Sequence, residues 1–138
     1  DPDIDYRIDW QILEDYVYAL GFRKLVPSTP ETHDQIISYT SQLAHIVSSA
    51  YIKSPTMLRE EGYSAGSFRD LTRVARLDEK MWTDLFLRNA DYLSAEIEEI
   101  ISHLVEYRDV LQSCDAEKLE KLLKDGRIRK EWSNDHVQ

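Results

Sequence analysis

Only one cysteine, Cys114, stands in these 138 residues, so no disulfide can form within the chain. Glycine is scarce as well. Gly21, Gly62, Gly66 and Gly126 are the full set, and their spacing excludes both the Gly-x-Gly-x-x-Gly turn of a dinucleotide-binding unit and a phosphate-binding P-loop. Cations are outnumbered, 17 Lys plus Arg against 26 Asp plus Glu, and a net charge of -9 opposes the many cationic contacts that nucleic acid requires. A small anion is not excluded, because a local arginine cluster creates a positive pocket even on an acidic protein. No apolar run approaches the ~18 residues that cross a bilayer, and no signal-peptide pattern is present, so the expected setting is the cytoplasm. Metal chemistry lacks a ligand set, since His33 and His45 lie twelve residues apart with no Cys or carboxylate completing a site around either. No nucleophile–base signature stands in supporting motif context.

What remains is a globular composition, 42% hydrophobic and 31% charged, with helical periodicity almost throughout. Asp9 is placed to cap a first helix through Leu13, Tyr16, Val17 and Leu20, with Gly21 as its left-handed terminus. Phe22 to Val26 reads as a short strand. A helix feeding a strand at the start of an otherwise helical chain predicts the last piece of an α/β domain over residues 1–27, the rest of its sheet lying outside this sequence. An all-α domain over 28–138 should follow.

Thr29-Pro30-Glu31 combines a capping oxygen, a proline at the first helical position and a carboxylate at the positive end of the dipole. The long helix it starts should run to about Lys53 on an apolar face of Ile36, Leu43, Val47 and Ala50, widened by Ile37, Ala44 and Tyr51, and Pro55 should stop it. Beyond a loop, Ser67 is placed to cap a short helix over Phe68 to Arg76, and Asp78 another from Glu79 through Trp82 and Phe86. Asn89 to Ser113 repeats Leu93, Ile97, Ile100, Leu104, Tyr107 and Leu111 at alternating four- and three-residue steps, the seam of packed helices. Asp115 should cap a last helix ending at Gly126.

On the short helix, Arg69, Arg73 and Arg76 fall in one stripe at ~100° per residue, beside a face of Phe68, Leu71, Thr72 and Ala75. Like charges at this spacing cost a few tenths of a kcal/mol, so anions should neutralise them. Either nearby Asp and Glu do so as ordinary surface pairs, or the stripe receives a carboxylate ligand, for which arginine's planar donors are suited. His45, within an apolar stretch, and Trp82 read by default as structural residues.

Taken together these segments resemble the prephenate dehydrogenase family. Thr29-Pro30-Glu31-Thr32-His33-Asp34 is similar to the family's approach to its C-terminal domain. Ser41-Gln42-Leu43-Ala44-His45 is similar to its Ser-His-Leu-Pro-His segment, with Gln42 and Ala44 as departures. Gly66-Ser67-Phe68-Arg69-Asp70-Leu71-Thr72-Arg73-Val74-Ala75 resembles its Gly-Phe-Arg-Asp-Met-Thr-Arg-Ile-Ala motif, and Met81-Trp82 and Arg88-Asn89 follow at similar spacing.

The resemblance implies an enzyme of tyrosine biosynthesis that oxidatively decarboxylates prephenate to 4-hydroxyphenylpyruvate with NAD or NADP. The cofactor and the catalytic histidine would belong to a preceding domain. This chain would supply a homodimer contact and substrate-binding residues: Arg73 for a carboxylate, Asp70 within the arginine network, His45 at the mouth of the site, where related enzymes also meet tyrosine as an inhibitor, Trp82 as a wall, and Gln42 as a further substrate-binding residue. An arogenate dehydrogenase domain shares this pattern, and a non-enzymatic helical interaction module is the alternative from another class.

Overall fold

The computed structural model describes residues 6–59, 62–63 and 65–136, and divides the chain into two compact units, Asp1–His33 and Asp34–Gln138. In the first unit, α1 spans Tyr6–Ala19. It begins before Asp9, which therefore sits inside the helix rather than capping it. Gly21 ends it as anticipated, in the left-handed region at φ 92, with its N–H on the Tyr18 carbonyl. Phe22–Val26 is not a strand: among the described residues there is none, and an extended segment without a neighbour to complete its hydrogen-bond ladder remains irregular. Thr29 Oγ1 accepts the Thr32 N–H at 3.1 Å, the cap that starts α2, Pro30–Ile37.

The second unit is built from helices joined by short turns and extended stretches. After α2 the helix continues through a π segment, Ser38–Leu43, into α3, Ala44–Tyr51. The cause of the π segment is local and polar. Ser38 Oγ donates to the Gln35 carbonyl at 2.7 Å and Thr40 Oγ1 to that of Ile36 at 2.8 Å, occupying acceptors of the i→i+4 ladder and bending it. The wider turn rotates the buried face. Ser38, Gln42, Leu43 and Ser48 are buried, whereas Ile36 and Ala44, expected on the apolar face, are exposed.

A single 3₁₀ turn, Pro55–Arg59, follows the helix stop at Ser54-Pro55. Helix α4, Gly66–Thr72, starts from an extended Ala65, so Ser67 lies in its first turn and is not its cap. It passes into a 3₁₀ turn, Arg73–Ala75, and at Arg76 the backbone becomes extended. Asp78 caps α5, Glu79–Arg88, by accepting the Met81 N–H at 2.8 Å. Helix α6 is Ala90–Ser113 and α7 is Ala116–His136, capped by Asp115 through the Lys118 N–H.

Helix α7 does not stop at Gly126. Glycine inside a helix costs roughly 1 kcal/mol, but i,i+4 pairs on either side, Asp125–Arg129 and Arg127–Glu131, support the helical turn there. Helix α6 packs on the π segment and on α7, while α3 packs on α4 and the Arg73–Ala75 turn. Leu43, Leu93 and Val110 are the buried apolar side chains among the described residues.

Candidate functional site

The sequence-expected residues converge on the side of the second unit where α3 meets the Arg73–Ala75 turn. A helix end leaves carbonyls without intrahelical partners, and the Val74 carbonyl is one of these. His45 Nδ1–H donates to it at 2.9 Å, which tethers α3 to the residue following Arg73. Because a carbonyl only accepts, this bond assigns the Nδ1–H tautomer to the neutral ring and leaves Nε2 as the free nitrogen. The opposite side of the imidazole lies against Trp82, with ring centroids 3.8 Å apart and planes at 38°. Trp82 packs in turn on Phe86 at 5.2 Å. Both His45 and Trp82 are half-buried, so each keeps an edge toward solvent.

The arginine stripe is only partly realised. Thr72 Oγ1 donates to the Phe68 carbonyl at 2.8 Å, and the helix tightens at the next residue. Arg76 therefore leaves the row, while Arg69 and Arg73 remain exposed. Among the described residues, Arg69, Asp70, Arg73 and Arg76 form no ion pair and no side-chain hydrogen bond. Local surface pairs thus do not neutralise the cluster. Elsewhere such pairs do form: Asp84, 2.8 Å from Arg88 Nε, holds that guanidinium above its ordinary range, through the hydrogen bond first and its charge second.

Gln42 is not at the surface. It is 6% exposed, its Oε1 accepts from Asn89 Nδ2 at 2.8 Å, and its Nε2 lies 3.4 Å from the Leu85 carbonyl. Both ends of its amide are thus engaged within the protein, by the Leu85 carbonyl and by Asn89. Asn89, 8% exposed, also donates to the Asp34 carbonyl at 2.9 Å. Sequence reading did not single out its side chain, because its partners lie 47 and 55 residues away.

Two larger grooves lie elsewhere. One, of about 830 Å³, runs between the π segment, α6 and α7, and another, of about 610 Å³, lies between Tyr51, Met57, Tyr63 and Phe68; neither is lined by Arg73 or His45. The Arg73 surface is open on this chain. No group of His, Cys, Asp and Glu among the described residues is arranged to hold a metal ion, and no helix among them is long and apolar enough to cross a membrane. The spacing of the four glycines matches no Gly-x-Gly-x-x-Gly turn that would cradle a dinucleotide's pyrophosphate.

Comparison with known proteins identifies the family of this chain. Residues 29–125 match the family model described as "Prephenate dehydrogenase, dimerization domain". A cyclohexadienyl dehydrogenase of Zymomonas mobilis is 33% identical over 133 residues, covering 90% of this chain and 44% of that protein. A prephenate dehydrogenase of Bacillus subtilis is 31% identical over 110 residues, 74% of this chain and 29% of its own length. The chain thus spans less than half the length of these relatives.

Among solved structures, an arogenate dehydrogenase from Synechocystis superposes with a TM-score of 0.76 at 23% identity, over 89% of this chain and 46% of the other, a likeness of fold. A prephenate dehydrogenase from A. aeolicus, solved in complex with hydroxyphenyl propionate and NAD+, gives a TM-score of 0.66 at 29% identity over 75% of this chain and 38% of the other. The family model covers most of the chain and its relatives are dehydrogenases: this chain belongs to the prephenate dehydrogenase family, through that family's helical dimerization domain.

Proposed function

We propose that residues 28–138 are the C-terminal domain of a cytoplasmic, homodimeric prephenate dehydrogenase, and residues 1–27 the end of its nucleotide-binding domain. The whole enzyme would oxidatively decarboxylate prephenate to 4-hydroxyphenylpyruvate with NAD or NADP, and this domain would supply dimer contacts and substrate-binding residues. Arg73 offers paired N–H donors to a substrate carboxylate. Asp70, three residues earlier and not bonded to that guanidinium in the isolated chain, would join the arginine network when the whole site is assembled, His45 presents Nε2 at the mouth, and Trp82 forms a wall.

The observation that carries this reading is the exposed, unpaired Arg73 one residue from the Val74 carbonyl that His45 holds at 2.9 Å, with Trp82 stacked behind. A guanidinium kept without a protein carboxylate beside a half-buried imidazole suits an anion that arrives from outside. Because Arg73 lies on an open surface, the pocket would close against the preceding domain.

The test is steady-state kinetics with prephenate on the full-length enzyme. Arg73→Ala should raise KM roughly 30-fold or more, corresponding to the ~2–5 kcal/mol typical of a broken, desolvated charge pair. Arg73→Lys should recover part of the loss, since an ammonium keeps the charge without the fork. Normal KM and kcat in Arg73→Ala would remove Arg73 from the site. The 138-residue chain alone should yield no NADH from prephenate.

A further inference from the structure

We infer that Asn89 and Gln42 are positioning residues, a buried clasp that sets the Trp82 ring against His45. The inference rests on the substrate site proposed above. It adds Asn89, and it gives Gln42 a role behind the site in place of one at its surface.

Helix α5, which carries Trp82, has no buried residue of its own, so apolar burial alone does not fix its rotation. Side-chain ties do. Gln42 reaches the Leu85 carbonyl, one of the last four of α5, and Asn89 at the junction of α5 and α6 donates both to Gln42 and to the Asp34 carbonyl. The clasp depends on the π segment. The carbonyls of Asp34, Gln35 and Ile36, consecutive in the turn before and into that segment, accept from Asn89, Ser38 and Thr40 respectively. Three side chains thus occupy a run of acceptors, and the wider turn brings the amide of Gln42 to the buried side.

Three residues after Gln42, on the same continuous helix, His45 meets Trp82 from α5. The continuous helix of the π segment and α3 is therefore joined to α5 twice: once by the buried amides from the π segment, once by the rings from α3. Both amides are less than a tenth exposed, and removing either leaves the other with unmade hydrogen bonds in a site closed to water. Relaxation of that defect turns α5, and the Trp82 ring moves with it.

The experiment uses the full-length enzyme with Trp10 and Trp132 replaced by Phe and any tryptophan outside this chain likewise replaced, so that Trp82 is the sole emitter. A protonated imidazole in contact with an indole quenches its fluorescence, and His45→Gln in this background identifies how much of the acid quench belongs to the pair. In Asn89→Ala and Gln42→Ala that quench should fall by about half or more, and KM for prephenate should rise about five-fold with a smaller change in kcat. The Asn89 side chain makes no cap bond to α6, so Asn89→Ser, a residue favoured at an N-cap but too short to reach Gln42, should reproduce the loss in a well-folded protein. Val110→Ala is the control, since it removes buried apolar volume about 30 Å along α6 from Asn89 and should lower Tm without altering the quench or KM.

Full quench and unchanged KM in Asn89→Ser would overturn the clasp, as would an equal loss in Val110→Ala. The quench is read without substrate. Failure of the Arg73 test would therefore overturn the substrate reading and leave this measurement to decide the clasp independently.

Discussion

Two regions of the second unit solve the problem of a small core in opposite ways. Around α3, α4 and α5 the elements are short, and specific polar pairs and ring contacts hold them: His45 on the Val74 carbonyl, Gln42 on Asn89, Trp82 on His45. In α6 and α7 the elements are long and regular, α7 carrying three i,i+4 ion pairs, yet Leu104 is 61% and Leu111 is 60% exposed, with Leu123, Ile128 and Trp132 also at the surface. The first region is held by these specific pairs, although the buried Ser48 hydroxyl of α3 has no partner among the described residues, and it keeps Arg73 exposed. The second is complete in its backbone and lacks a surface to cover it. A contiguous apolar stripe left exposed on a helix marks an interaction face, which fits the dimer proposed above.

The largest effect that would break this comparison is on assembly. Leu104→Glu with Leu111→Glu places two charges on the uncovered stripe of α6, where burial in a dimer core would desolvate them without partners. Light scattering at micromolar concentration should shift from dimer to monomer mass, with helical circular dichroism retained and a Tm that loses its concentration dependence. An unchanged dimer mass would put the interface on another face and leave the exposed leucines unexplained. Arg73→Ala, acting in the other region, should leave the dimer mass untouched.

The same division governs what sequence reading captured. Features that are local in the chain were legible: the Thr29-Pro30 start, the Gly21 stop, the Asp78 and Asp115 caps and the span of α6 all follow from residues within a turn of one another. The convergence of His45, Trp82 and the Arg73 turn was legible from the resemblance of ordered motifs, although the roles of these residues are proposals. Features that depend on a register shift were not. A 100° wheel assumes a uniform α-helix, and the hydroxyls of Ser38 and Thr40 widen the turn, so the burial of Gln42 and the exposure of Ile36 and Ala44 could not be read from it. The hydroxyl-rich run Ser38-Tyr39-Thr40-Ser41 was the available signal. The supposed strand at Phe22–Val26 failed because a ladder is a property of two segments, and Gly126 misled because ion pairs on both flanks outweigh one weak helix former.

A smaller effect sharpens the polar side of the comparison. Asp78→Ala removes the oxygen that accepts the Met81 N–H at 2.8 Å and should cost about 1 kcal/mol, within the usual range for a cap. Since α5 carries Trp82, the loss should also weaken the acid quench of that residue by His45, more than an equally destabilising change in α7. Thermal melts paired with Trp82 fluorescence measure both.

A comparable gain is available where α6 turns into α7. Cys114 adopts φ 54, a left-handed position that costs a residue with a side chain roughly 1–2 kcal/mol, and it is exposed, so little packing is lost on removing the thiol. Its N–H bonds the Leu111 carbonyl, and that of Asp115 the Val110 carbonyl, as in a glycine-terminated helix. Cys114→Gly should raise stability by about 1 kcal/mol, less the extra freedom glycine gains when unfolded. A fall in Tm would show that the turn is held by contacts the thiol makes in the assembled protein.

The smallest effect is the most informative about the uncovered region. Gly126 lies within α7 without a positive φ, and a Cβ placed there would meet nothing within 4 Å, so in a single chain Gly126→Ala should stabilise by about 0.5–1 kcal/mol through helix propensity alone. That corresponds to a rise in Tm of a few degrees. The same residue lines the groove between the π segment, α6 and α7, with Tyr39, Ile100 and Leu122. If a partner's helix crosses at that groove, glycine is what permits close approach, and the added methyl would clash in the dimer while still favouring the monomer. Melting the Gly126→Ala protein in the wild-type background and in the Leu104→Glu/Leu111→Glu background separates the two. A gain in both places the interface away from the groove, whereas a gain in the monomer and a loss in the dimer would locate the partner helix over Gly126 itself.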